Sequence, residues 1–230
     1  MLESIVANET LKEYCGTKDS IFHPNRISFS GAVSTSIGIT LLSNPYSAPV
    51  GLLAIVYGDV VADIYDGRLA RKFNLRTKEG AILDPFFDKI KNLSVGTYVM
   101  IAEGVTNPLS LAFGASYAVD YISQKKRGPI LEQIVQVSNA VISPENCTLD
   151  NQEKSQNRAN NFGKWKTGLQ AGVHIGYAVK ECIPFNYITP NHKNEIDTGF
   201  TYLLASVLAL SVILGAIGIV KRHGTKENKD

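Results

Sequence analysis

Residues Thr198 to Val220, TGFTYLLASVLALSVILGAIGIV, contain no charged side chain. A helix needs about 20 mostly apolar residues to cross the hydrocarbon core of a bilayer, so this stretch predicts a transmembrane helix unaided. A second uncharged run extends from Ile27 to Gly58. It is too long for one straight span, and Asn44-Pro45 interrupts it, which predicts two spans near 27–43 and 47–65. Three further stretches, near 81–102, 106–122 and 163–184, are apolar with charges gathered mainly towards their ends. The expected fold class is therefore an all-α integral membrane protein with six transmembrane helices. The mean hydropathy of the whole chain is near zero, an average that hides the uncharged runs because the charges are clustered.

The loops carry a sidedness signal. Arg68, Arg71, Lys72, Arg76 and Lys78 lie between spans two and three, and Lys125, Lys126, Arg127, Lys154 and Arg158 between four and five. Lys221, Arg222, Lys226 and Lys229 follow span six, whereas the connections near Asn44 and Thr106 contain no Lys or Arg. Basic residues concentrate in cytoplasmic loops, so both termini are expected in the cytoplasm. The loop near His192 and Lys193 is mixed in sign and argues neither way.

At 230 residues one domain suffices. Residues 1–22 lack the basic start and apolar run of a signal peptide. They are expected to form an amphipathic helix on the membrane surface, through Leu2, Ile5, Val6, Leu11 and Tyr14, or a solvated cap. The membrane domain is expected over 23–222, with a polar connector at 123–161 and a tail at 223–230. Asn146-Cys147-Thr148 matches a glycosylation acceptor, but the charge pattern puts it on the cytoplasmic side. A net charge of +2 gives no nucleic-acid signature, and Cys15, Cys147 and Cys182 have neither disulfide-framework nor zinc spacing.

The chemistry is concentrated in DIYDGRLARKFNLRTKEGAILDPFFDK, from Asp63 to Lys89. Asp63 and Asp66 are three apart and Asp84 and Asp88 four apart, spacings that put each pair on one helix face. One such pair is usually no more than a solvated face. Four carboxylates near a membrane surface are costly unless cations compensate them, and carboxylate oxygens suit hard divalent ions. A two-metal clamp suits phosphoryl transfer, because it neutralises both the attacking and the leaving oxygen. Gly67 removes a side chain where a phosphate or nucleotide would approach, Gly80 can open a helix, and Arg71 can reach a phosphate oxygen.

In order, Asp63-x2-Asp66-Gly67-x2-Ala70-Arg71-x8-Gly80-x3-Asp84-x3-Asp88 resembles, at every fixed position, the signature of the CDP-alcohol phosphatidyltransferase family. Agreement at all these positions by chance is on the order of 10⁻⁹ or less per starting point, given ordinary residue abundances. Leu83-Asp84-Pro85-Phe86-Phe87-Asp88-Lys89 is also similar to the family's LDPxADK, with Phe87 in place of the usual small residue. Pro24-Asn25 is similar to the PN that opens the family's first span.

The resemblance implies a six-helix membrane enzyme that moves a phosphatidyl group from a CDP-linked lipid, CDP-diacylglycerol or CDP-archaeol, to a small alcohol, releasing CMP. It implies Asp63, Asp66, Asp84 and Asp88 as ligands of two Mg²⁺ or Mn²⁺ ions, and Asp88 as the catalytic base. It assigns Asp66, Gly67, Ala70, Arg71 and Gly80 to the CDP moiety. The active site is expected near the cytoplasmic face, of the plasma membrane in a prokaryote or of an organelle otherwise. Membrane lipids surround the enzyme, and a homodimer is compatible with the resemblance.

Ala159-x3-Gly163-Lys164-x-Lys166-Thr167-x2-Gln170 resembles the AxxxGKxKTxxQ of phosphatidylglycerophosphate synthases and related cardiolipin synthases. Lysines at a helix N-terminus favour an anion, so Lys164, Lys166, Thr167 and Gln170 are read as an acceptor site, with glycerol 3-phosphate as acceptor. The simpler alternative is lysines snorkelling to lipid phosphates. Gly31 departs from the arginine usual in those synthases and is closer to the PNxxTxxG of aminoalcohol- and inositol-type members. Transfer to inositol phosphate or serine, or from a CDP-choline or CDP-ethanolamine donor, is thus the rival within the family. From another class, a cation transporter would spread its acids along several helices. Asp59, one turn before Asp63, is read as a packing or pore-facing residue rather than a partner of the metal ligands, and His174, one turn beyond Gln170, as bonded to a backbone carbonyl rather than facing the same cavity.

Overall fold

The computed structural model describes residues 20, 22–73, 78–125, 130–142, 161–182 and 193–227. Among them the chain is all-helical, with seven helices: α1 (Pro24–Leu41), α2 (Ala48–Lys72), α3 (Lys78–Glu103), α4 (Pro108–Lys125), α5 (Ile130–Ile142), α6 (Asn161–Cys182) and α7 (Lys193–Glu227). Two stretches, Ala48–Lys72 and Asn194–Val220, are by themselves long and apolar enough to cross a membrane. The amphipathic segment expected at the N-terminus lies outside the described residues for positions 1–19, as does the acceptor motif around Asn146.

Six long helices stand where six spans were expected, with two differences. α7 begins at Lys193 and continues to Glu227, beyond both ends of the uncharged run and into the expected tail. The connector 123–161 is not polar loop throughout: ILEQIVQVSNAVI forms α5. Its Val137 and Val141 pack with Ala32 of α1 and with Leu83 and Phe87 of α3. Apolar residues at positions 130, 134, 137 and 141 recur at helical spacing, and this short stripe is what the polar flank obscures. Arg26, at the start of α1, secures the far end of α5 by donating to the carbonyls of Val141 and Ile142 at 3.3 Å each, groups that a helix C-terminus leaves without internal partners. Phe87, the bulky residue in the LDPxADK-like stretch, fills this junction and lies with its ring 5.8 Å from that of Phe29.

α1 and α2 form an antiparallel pair in near backbone contact. A Cβ placed on Gly38 would stand 2.7 Å from the Gly51 carbonyl oxygen, and one on Gly58 would stand 2.3 Å from that of Gly31. Only hydrogen fits at these crossings. Small residues let helices approach closely in lipid, where packing and hydrogen bonds replace the hydrophobic drive between helices. The same contact accounts for Gly31: a Cβ there would meet Ala62 at 2.7 Å, so no arginine side chain can leave the helix at that point.

α2 is not regular. Tyr57–Val61 forms a π turn, closed by a bond from the amide of Ala62 to the carbonyl of Tyr57. Such a turn inserts an extra residue and shifts the angular register of everything after it. The apolar core, with Ile55, Val95, Val99, Phe113, Val173, Tyr177 and Leu208, lies on the side of the bundle away from the carboxylates. α6 packs on α2 and α7, and α7 on α4, so that α6 is brought against α2 and α3 beside the site. Outward-facing apolar side chains such as Ile37, Leu53, Ile101, Leu111 and Ile213 suit a hydrocarbon surround.

Candidate active site

The second half of α2 and the first half of α3 carry the four aspartates, and the structure brings the two helices together through one lysine. Lys91, on α3 one turn beyond Asp88, places its Nζ 3.0 Å from Asp63 Oδ1 and 3.2 Å from Asp88 Oδ1. Its side chain is only 6% exposed, against 41% for Asp63 and 25% for Asp88, so the carboxylates form a mouth with the ammonium at its floor. Asp66 accepts a hydrogen bond from Ser28 on α1. Asp84 is exposed and close enough to Asp66, Asp88 and Asp63 for their charges to repel.

Of the expected nucleotide positions, Gly67, Ala70 and Arg71 lie on the same stretch of α2 as Asp63 and Asp66. The guanidinium of Arg71 folds back over Gly67, where a Cβ would lie 3.4 Å from its nearest nitrogen. Ala70 is partly buried on the same stretch of α2, and Gly80 lies in the first turn of α3. Gly67 and Ala70 leave backbone and the Arg71 guanidinium, rather than bulky side chains, next to Asp66 on α2.

The cluster at the start of α6 divides. Thr167 Oγ1 donates to Asp88 Oδ2 at 3.4 Å, which sets α6 against the four-aspartate site. Lys164 is exposed. Lys166, however, forms an ion pair with Asp120 of α4, and Gln170 is buried, donating from Nε2 to Ser116 Oγ at 2.8 Å. Two of the residues expected to meet an acceptor are thus engaged within the bundle.

Behind the carboxylates runs a buried polar network that spacing alone did not reveal. Asp59 accepts from Thr35 Oγ1 at 2.9 Å, and its Oδ2 lies 2.7 Å from His174 Nδ1. His174 Nε2 faces Asn92 Oδ1 at 3.4 Å, and the Asn92 amide donates to Ser116 Oγ and Asp120 Oδ2 at 3.1 and 3.2 Å. The partner of His174 is therefore the Asp59 carboxylate, not the backbone carbonyl expected. Ser28 had one available signal: it occupies the Thr position of the PNxxTxxG pattern. Lys91 also had one, its i,i+3 spacing from Asp88 on the same helix, whereas Asn92 had none, because its side-chain partners sit on other helices.

Among the described residues no three His, Cys, Asp or Glu side chains close around a single point as a metal cage. The donor chemistry nevertheless fits a hard divalent cation. The set is all carboxylate, and the position between Asp63 and Asp88 already accommodates the positive charge of Lys91. Lys91 meets Asp63 and Asp88, and the carboxylates of Asp66 and Asp84 add oxygen donors of the kind that a hard cation takes.

Comparison with known proteins agrees with this chemistry. No solved structure gives a match to the chain. The sequence model of the CDP-alcohol phosphatidyltransferase family matches residues 21–217, which takes in the aspartates, the α6 cluster and α7 as far as Ile217. The chain belongs to the CDP-alcohol phosphatidyltransferase family, membrane-bound enzymes of phospholipid biosynthesis, generally metal-dependent, that transfer a phosphatidyl group from a CDP-linked lipid to an alcohol.

Proposed function

We propose that the chain transfers the phosphatidyl group of CDP-diacylglycerol or CDP-archaeol to glycerol 3-phosphate and releases CMP. The observation that carries this reading is the contact of Thr167 with Asp88, which joins the lysine-bearing start of α6 to the proposed base. An acceptor phosphate near Lys164 would leave the acceptor hydroxyl within reach of that carboxylate. Six long helices cross the bilayer in this reading, with the carboxylate mouth at the cytoplasmic face, where the basic loops lie.

Asp63, Asp66, Asp84 and Asp88 would hold Mg²⁺ or Mn²⁺, which when bound supplies positive charge for the diphosphate and for the charge that develops during transfer. Asp88 accepts the proton of the acceptor hydroxyl as its oxygen bonds to the β-phosphorus. The bond from that phosphorus to the oxygen bridging it to CMP breaks, and CMP leaves with that oxygen. Arg71, held over Gly67, would meet a phosphate oxygen of the donor, and Gly67 and Ala70 would keep the approach open.

A second acceptor class is favoured by two observations. Gly31 is locked into the α1–α2 crossing, as in the pattern of aminoalcohol- and inositol-type members, and the charge of Lys166 is already met by Asp120. One experiment separates the readings. Protein purified in detergent is given Mg²⁺ or Mn²⁺, a CDP-diacylglycerol or CDP-archaeol donor and a panel of acceptors, and CMP release is followed. Release that depends on metal and on glycerol 3-phosphate supports the first reading, and release with inositol phosphate or serine instead supports the second. Asp88→Asn is expected to lower kcat by about 10²-fold or more while donor binding stays measurable. Turnover near wild type would remove Asp88 from the role of base.

A further inference from the structure

Lys91 has two sets of partners, and they belong to different parts of the protein. In the mouth, its Nζ meets Asp63 Oδ1 at 3.0 Å and Asp88 Oδ1 at 3.2 Å. On the interior side it meets the Gly58 carbonyl oxygen at 3.4 Å and Asp59 Oδ1 at 4.0 Å. A buried ammonium must have anionic or strongly accepting neighbours, and here either set can serve.

The inner set is built without the mouth. The Asp59 side chain is 2% exposed, lies behind Lys91 and is fixed by Thr35 of α1 and His174 of α6. The His174 ring is stacked on Phe113, with centroids 6.1 Å apart and planes 15° apart, and its second nitrogen faces Asn92. The π turn carries both Gly58 and Asp59, so the departure from regular helix lies where the inner acceptors are offered. Such a framework makes Asp59 a fixed anion rather than a spare ligand.

We propose that Lys91 is a positioning residue, an internal counter-cation that holds Asp63 and Asp88 together before a divalent ion binds and withdraws onto Asp59 and the Gly58 carbonyl when one does. The proposal rests on the reading that Asp63 and Asp88 are metal ligands. Without a cation, the carboxylates of the mouth repel one another and spread, and the ammonium prevents this. An arriving cation repels the ammonium and takes over its partners. Asp59 then keeps the displaced charge paired, so that loading the site does not strand a buried ammonium. Metal affinity is accordingly the outcome of a competition, with Lys91 opposing the metal and Asp59 assisting it.

The test uses the full chain in detergent with Mn²⁺ as the probe, binding being read from the resonance of free Mn²⁺ and from thermal unfolding with and without the ion. Lys91→Met removes the competitor, and Mn²⁺ is expected to bind about tenfold tighter. The metal-free protein should unfold at a lower temperature, with a larger gain on adding Mn²⁺. Asp59→Asn leaves Lys91 without an inner anion, the Gly58 carbonyl being the only inner acceptor named above that remains, and Mn²⁺ is expected to bind about tenfold more weakly. In the Lys91→Met background, Asp59→Asn should have little further effect, since there is no ammonium left to receive.

An equal effect of Asp59→Asn in both backgrounds would mean a simple field effect and would overturn the proposal. So would unchanged Mn²⁺ affinity in Lys91→Met. If Lys91→Met does not fold, Asp59→Asn still decides: unchanged or tighter Mn²⁺ binding overturns the proposal. Asp63→Asn and Asp88→Asn report separately on the site itself. Mn²⁺ binding that survives both, or no binding by the wild type, overturns the metal-site reading and the proposal with it. Binding that needs both but ignores Lys91 overturns the proposal alone.

Discussion

The ammonium of Lys166 closes onto the carboxylate of Asp120, and both side chains are largely buried, at 12% and 11% exposure. Removing one partner of such a pair leaves the other charge without compensation in a poorly solvated place. Lys166→Ala is therefore expected to destabilise the protein by about 3 kcal/mol, visible as a lowered Tm in detergent. Lys166→Met combined with Asp120→Asn should recover much of that loss, because neither charge then remains buried alone. A Lys166→Ala protein as stable as wild type would place this ammonium in an open acceptor pocket instead. Asp63, Asp66, Asp84 and Asp88 were legible in the sequence because their spacing along two helices is itself a pattern. Asp120 was not, and nor was the pairing of Asp59 with His174, 115 residues away along the chain. Contacts of that range depend on which helices become neighbours, and residue spacing carries no record of it.

Among the helices, the α1–α2 crossing has the least room to change. Gly58→Ala would put a Cβ 2.3 Å from the Gly31 carbonyl oxygen and 2.2 Å from Thr35 Oγ1. Backbone cannot give way as a flexible side chain can, so the substitution is expected to cost about 1–3 kcal/mol by thermal unfolding. Gly172→Ala on α6, where nothing lies within 4 Å, is the control, expected to be neutral or to stabilise by up to about 1 kcal/mol. Equal effects at the two positions would mean that α1 and α2 are not in backbone contact. α1, the first part of α2 and α7 were legible from charge-free runs, and α3, α4 and α6 from apolar stretches with charges mainly towards their ends, since a bilayer imposes a minimum apolar length. α5 was missed because its apolar stripe is short and is followed by the polar sequence SPENCTLDNQEKSQNRANN. The π turn left no mark in composition at all: YGDVV is as compatible with an α-helical turn as with a wider one.

At the scale of the whole molecule, the two ends of the bundle differ in character. Asp63 and Asp88, with Lys91 between them, mark one end. At the other, Lys180 of α6 joins Glu103 of α3 and Asp197 of α7, a charge cluster that ties together three helices far from the site. Sidedness can be read with single cysteines in a protein whose Cys15, Cys147 and Cys182 are replaced by serine. Tyr46→Cys, at a position 94% exposed between α1 and α2, is expected to react with an impermeant maleimide from outside intact cells. Lys72→Cys, exposed at the end of α2, should react only after the membrane is opened. The reverse pattern would invert the orientation inferred from the basic loops.

The π turn has one more consequence at this scale. It acts as a phase shifter between two gear trains on a single shaft. Upstream of it, α2 is meshed with α1 through Gly51 and Gly38; downstream, it meets α1 again at Ala62 and Asp66 and reaches α3 through Asp63 and Lys91. The depth at which the shaft sits in lipid and the direction in which its carboxylates point are thus set by separate contacts. Loss of one residue from the wide turn would leave a helix that still crosses the bilayer with every aspartate present, yet rotated out of mesh with its partner.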